Sequence, residues 1–133
     1  MLRKTATHSR WSSLRDLYRI VRGRVAAKKG NYEQAVRLLD ADAGAGSRYY
    51  RFIPLYRLTL MVLTKDPRRT LQARKLLGDK WSVESDEDRW FESYRRYLCF
   101  GILSEHHKSN AARQELRAIP VPNLVRSTIG VPA

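Results

Sequence analysis

Along most of the chain, apolar residues return every three or four positions, the interval that gathers side chains on one face of an α-helix. Leu14, Leu17, Tyr18, Val21 and Val25 keep that interval and predict a helix over Ser12–Lys29, capped by Ser12 or Ser13 and ended by Gly30. These five are expected to form its buried stripe, with Arg15, Arg19, Arg22 and Lys29 on another face. Asn31 caps a second helix, Tyr32–Ala41, with Ala35, Leu38 and Leu39 inward, and the glycines of 42–47 mark a loop. A third helix over Arg48–Thr64 is the most apolar. There Pro54 either lies in the first turn of a helix starting near Ile53 or kinks a longer one. Asp66 and Pro67 open a fourth helix, Pro67–Leu77, stopped by Gly78. Ser85, followed by Asp86, Glu87 and Asp88, opens a fifth, where a hydroxyl cap and carboxylates suit the positive end of the helix dipole. Its buried stripe is Trp90, Phe91, Tyr94, Tyr97, Leu98 and Ile102. A turn at Lys108–Asn110 leads into a sixth helix, Asn110–Ala118. Pro120 and Pro122 then leave a tail, extended or draped on the domain. The fold class is all-α.

A second pattern overlies the first. Tyr18-Arg19, Tyr56-Arg57 and Tyr94-Arg95 are separated by equal steps of 38 residues, and so are Ala35, Ala73 and Ala111. A fixed period of this size is the mark of stacked supersecondary units. Placed on the helices, it predicts three antiparallel helix hairpins, with Tyr-Arg on the first helix of each and alanine near the start of each second helix. The tyrosines are expected to be packing residues.

In the first hairpin, Gly23, Gly30, Tyr32, Ala35 and Leu39 stand in a register that resembles the tetratricopeptide-repeat (TPR) family. That pattern has a small residue late in the first helix, a Gly-x-Tyr turn, then alanine and a large apolar residue four later. Arg19, Arg22 and Ala26 replace large apolar residues of the pattern, and the period is 38 where the family has 34. The resemblance implies a short superhelical array that serves as a protein-interaction scaffold. Its groove would include Ile20, Arg24, Val62 and Phe100, a set that does not match the clamp for chaperone tails found in one branch of the family.

Composition fits one domain, divided as a flexible basic arm (1–11), a helical-repeat domain (12–119) and a proline-containing tail (120–133). The single cysteine, Cys99, excludes a disulfide framework or a cysteine-built zinc cage within one chain, and its apolar neighbours make it a core residue. The longest apolar run, Phe52–Leu63, is broken by Pro54 and Arg57 and is too short for a membrane span. A cytoplasmic location is expected, although the basic, hydroxyl-rich first ten residues also resemble an organelle transit peptide.

Charge narrows the expected work. Twenty-six basic side chains face 13 acidic ones, and the excess is +8 over residues 1–39, +5 over 40–80 and zero over 81–133. Such a field attracts an anionic partner. No phosphate loop, nucleophile elbow or zinc-protease motif is present, and His106 and His107, being adjacent, point to different faces of a helix. We therefore expect a non-enzymatic module without a cofactor or metal, binding an acidic protein segment through Arg15, Arg19, Arg22, Arg24, Lys28 and Lys29. Electrostatic binding of nucleic acid through the same face is the alternative, since arginines sit beside aromatics at Arg48–Phe52 and Arg89–Arg96. A homo-oligomer in which Glu84–Asp88 docks on a neighbour's basic half is a third possibility.

Overall fold

The structure, a computed structural model, describes the backbone of residues 2–129 and the side chains of residues 10–127. The outermost parts of the predicted arm and tail, Met1 and residues 130–133, lie outside the described residues, as do the side chains of Arg3, Lys4 and His8. Seven helices and no strand occur among the described residues, so the chain is all-α. It divides into two compact units, Met1–Thr64 and Lys65–Ala133.

The first unit holds α1 (Leu2–Lys28), α2 (Tyr32–Leu38) and α3 (Phe52–Leu63). α1 begins ten residues before Ser12. No glycine or proline interrupts the chain before Gly23, so nothing stops the helix from running back through the residues assigned to the arm. It ends in a Schellman motif: Gly30 takes φ +81°, its N–H reaches the Ala27 carbonyl at 3.0 Å, and the Asn31 N–H reaches the Ala26 carbonyl at 2.9 Å. α1 then packs against α2, and α2 against α3.

Which face of α1 turns inward differs from the expected one. Ile20 and Asp16 are fully buried, and Ser12, Gly23 and Ala26 are buried with them. Leu14, Tyr18, Val21 and Val25, expected in the core, are instead 54%, 63%, 44% and 47% exposed. The buried face is chosen by close approach: Gly23 meets the Leu39 side chain, and Ala35 and Leu39 are fully buried opposite it. α3 supplies most of the remaining core through Phe52, Ile53, Leu55, Leu58, Leu60 and Met61, each worth roughly 1.5–3 kcal/mol on full burial. Pro54 is the third residue of α3. In a first turn it has no intrahelical N–H partner to lose, so the helix starts there and need not kink.

The second unit holds α4 (Arg69–Gly78), α5 (Asp86–Ile102), α6 (His106–Arg117) and α7 (Asn123–Ile129). α4 packs on α5 and α5 on α6. Asp66 opens α4 as an Asx turn, its carboxylate accepting the Arg68 N–H at 2.9 Å. Arg68 also chelates that carboxylate through its guanidinium, which holds the acid below the usual carboxylate range. Ser85 caps α5 as expected. Its hydroxyl accepts the Asp88 N–H at 3.1 Å while the Asp88 carboxylate accepts the Glu84 N–H at 3.0 Å.

α6 starts four residues before Asn110. α5 ends at a Schellman turn centred on Ser104 (φ 62°), so Lys108–Asn110 is helix and not a turn. Ser109 is buried inside α6, where its hydroxyl donates to the Tyr97 carbonyl at 2.9 Å. The predicted tail contains α7, which buries Leu124 and Val125. Cys99 is fully buried, and loss of solvation pushes its thiol up to about 12, against the smaller opposing pull of Arg95.

The 38-residue echo acquires a physical meaning in its arginines. Arg95 lies on α5 and donates to the carbonyls of Leu76 and Asp79 at 2.8 and 2.6 Å, closing the C-terminal end of α4. Arg57, on α3, donates to the Asp40 carbonyl just past the end of α2. Arg19 reaches that same end from α1, donating to the carbonyls of Leu38, Ala41 and Asp42. Each guanidinium donates to backbone carbonyls at or just past a helix C-terminus, where intrahelical donors run out. Acids three residues earlier, Asp16 and Glu92, hold two of the three guanidinium groups in place. Tyr18, expected to pack, is exposed. Of the alanines, Ala35 and Ala73 are fully buried, while in the third copy Ala112 is buried and Ala111 is not.

Candidate interaction surface

The solvent-facing side of α1 concentrates the features a partner could use. Trp11 (67% exposed), Leu14, Tyr18, Val21 and Val25 follow one another at steps of three, four, three and four residues. At 100° per residue they fall within about 80° of the helix circumference, opposite Asp16, Ile20 and Gly23. Among the described residues, the large side chains on that face are left about half uncovered or more. The packed face combines Ile20 with the small and polar residues Ser12, Asp16, Gly23 and Ala26, and Gly23 allows the close approach to Leu39.

Cations line both edges of this stripe. Arg15 and Arg22 are exposed on one side, and the Arg22 guanidinium lies 5.6 Å from the centre of the Tyr18 ring. Arg10 and Lys28 are exposed on the other. Lys29, also exposed, follows the last residue of the helix. Arg24 is half-buried and lies near Tyr56, where it partly offsets the burial that raises the phenol. The structure thus brings Arg15, Arg22, Lys28 and Lys29 to the surface, and sets Arg24 deeper.

Arg19 belongs to the framework. Besides closing α2, it pairs at 3.0 Å with Asp16, whose second oxygen accepts the Gly44 N–H at 2.8 Å. A β-carbon on Gly44 would stand 2.7 Å from that of Ser12, so only glycine brings the loop close enough to reach Asp16. An arginine committed to four oxygens and only 16% exposed is poorly placed to meet a ligand.

At its N-terminal end the stripe runs into a cleft of about 460 Å³ lined by Arg10, Ser13, Leu14, Leu17, Gly46, Arg48 and Tyr49. Leu14 belongs to both. An apolar floor between two arginines accommodates a ligand that is apolar at its centre and anionic at its edge. Neither the cleft nor the exposed stripe was expected from sequence. The available signal was the three-four spacing of Trp11 with the four residues after it.

The aromatics expected to stack on bases are mostly occupied. Tyr49, Phe52 and Phe91 are buried, and Trp90 stacks on Tyr94 at 5.3 Å with planes 7° apart. Arg51 and Arg95 are buried as well, the latter with its guanidinium 4.4 Å from the centre of the Trp81 ring. His106 and His107 are both exposed in the first turn of α6. Among the described residues, no group of three potential metal ligands comes together, and no helix is long and apolar enough to cross a membrane. No protein-family model, curated protein or solved structure matches this chain.

Proposed function

We propose that this protein is a non-enzymatic interaction module that takes an acidic segment of a protein partner on the exposed face of α1. The observation that carries the reading is the co-location on one helix face of five exposed apolar side chains with Arg10, Arg15, Arg22 and Lys28 at their edges. A purely electrostatic binder has no use for exposed Leu14, Val21 and Val25, whose solvation costs free energy until something covers them. The binding set is therefore Arg15, Arg22, Lys28 and Lys29 with Arg10 added, while Arg24 stands at its margin and Arg19 leaves it.

The TPR-like architecture belongs to the same proposal. What supports it is that Gly23, Gly30, Ala35 and Leu39 close the α1–α2 hairpin and that helix-end arginines recur at this chain's own 38-residue interval. The binding face differs from the groove the resemblance implies, since Ile20 is fully buried.

Nucleic acid competes for the same cations. A salt-titrated binding assay of the whole chain with a glutamate-rich peptide, single-stranded RNA and duplex DNA separates the two readings. The proposal expects the peptide to bind and Arg15→Ala/Arg22→Ala to weaken it. RNA or DNA binding at low salt with no peptide binding would overturn it.

A further inference from the structure

The same face defines the shape of what it binds. Trp11, Leu14, Tyr18, Val21 and Val25 occupy successive a and d positions of a heptad, a period of 3.5 residues. In that register Arg15 and Arg22 take the e positions, with Lys29 at the next one, while Arg10, Leu17 and Arg24 take the g positions. An a/d seam is the surface one helix offers to another, and e and g side chains decide which helix is accepted. We propose that the occupant is an amphipathic helix of the partner protein, apolar at its own a and d positions and acidic at its e and g positions, lying along α1. The inference rests on the acidic-partner reading above and adds the partner's conformation.

Charge rejects the nearest alternative, a second copy of this chain. Pairing α1 with itself in parallel sets e against g, which brings Arg15 to the copy's Arg10. The antiparallel arrangement sets e against e and g against g, again cation against cation. Like charges facing across a seam oppose pairing. Stripe width disfavours the other, an anionic membrane surface. At about 80° between flanking cations, the stripe has the narrow width of an a/d seam and not the broader face of roughly 100° that a helix lays on an extended apolar surface. Length is sufficient: Trp11 to Val25 covers about 21 Å of helix axis, enough for some three to four turns of a partner.

The test uses three synthetic 21-residue peptides against the whole protein in a calorimetric or anisotropy titration. One carries leucine at a and d with glutamate at e and g. The second has the same composition with the leucines shuffled out of heptad register. The third replaces glutamate by lysine. The expected result is that the first binds roughly tenfold more tightly than the second, gains helicity by circular dichroism on binding, and that the third does not bind. Tyr18→Ser/Val21→Ser should lose that preference with an unchanged thermal midpoint, since both residues are exposed. Arg15→Glu/Arg22→Glu should exchange it, accepting the lysine peptide over the glutamate one.

Equal binding of the first two peptides overturns the helix inference and leaves the acidic-segment reading intact. Binding of none overturns both. Capture by phosphatidylserine-containing vesicles that Tyr18→Ser/Val21→Ser abolishes, without heptad-peptide binding, assigns the stripe to a membrane and sinks the proposal. So does a dimer mass that those two substitutions convert to monomer.

Discussion

Arg15 and Arg19 stand one helical turn apart on α1, yet their surroundings give them opposite roles. Arg15 is exposed at the edge of the apolar stripe, whereas Arg19 is held by Asp16 and by three carbonyls at and just beyond the end of α2. Removing Arg19 leaves a fully buried carboxylate with the Gly44 N–H as its one remaining donor among the described residues, and takes a donor from each of those carbonyls. Arg19→Ala should therefore lower stability in urea unfolding by about 2–4 kcal/mol. Arg15→Ala and Arg22→Ala should each stay within about 0.5 kcal/mol of the parent. A neutral Arg19→Ala would mean that the Asp16–Arg19–Gly44 cluster does not hold the unit together. This division of labour was half legible: the equal spacing of Arg19, Arg57 and Arg95 is plain in the sequence. What they touch was hidden, because the capped carbonyls lie 16 to 23 residues away and backbone acceptors have no letter of their own.

Helix ends were easier to read than helix faces. Gly30 and the Ser85 cap act where local chemistry placed them, and the Asp66-Pro67 turn leads into α4 two residues before its start at Arg69, because a cap depends on residues within one turn. The buried face of α1 depends on α2, and α1 carries two candidate stripes. The more apolar one looked like core, but Gly23 against Leu39 set the inward direction and drew Asp16 and Ser12 in with it. The start of α6 was missed for a related reason: Ser104 performs the left-handed turn that glycine performs at Gly30, without glycine's signature. The difference yields an element-scale prediction. Ser104 is exposed at φ 62°, a conformation that costs an L-residue free energy and costs glycine almost none. Ser104→Gly should raise the unfolding free energy by roughly 0.5–1 kcal/mol, the conformational relief exceeding the added flexibility of the unfolded chain. Gly30→Ala, the reverse change at φ +81°, should lower it by about 1 kcal/mol or more. Two changes of the same sign in chemical denaturation would refute the left-handed assignment at one of the two turns.

For the molecule as a whole, the +13 excess couples stability and binding in opposite directions. The Met1–Thr64 unit alone carries thirteen basic and four acidic side chains, net +9. Its exposed cations repel one another over distances comparable with the Debye length of about 10 Å at 0.1 M salt. The pairs that oppose this repulsion differ in depth. Arg19–Asp16 and Arg95–Glu92 are largely buried and poorly screened, while Arg89–Asp86 and Lys108–Glu105 are exposed and contribute at most a few tenths of a kcal/mol. Added salt thus removes more repulsion than attraction. Raising sodium chloride from about 20 mM to about 500 mM should increase Tm by a few degrees and, over the same range, weaken the heptad glutamate peptide. The two peptides should respond unequally. The shuffled one relies on charge alone and should lose nearly all affinity, whereas the heptad one keeps the contacts of Leu14, Tyr18, Val21 and Val25, which salt does not screen. Differential scanning fluorimetry and the peptide titration, run across one salt series, check both halves. A Tm that falls with salt would show that exposed ion pairs outweigh the repulsion. Parallel loss of the two peptides would show that the apolar seam adds nothing to recognition.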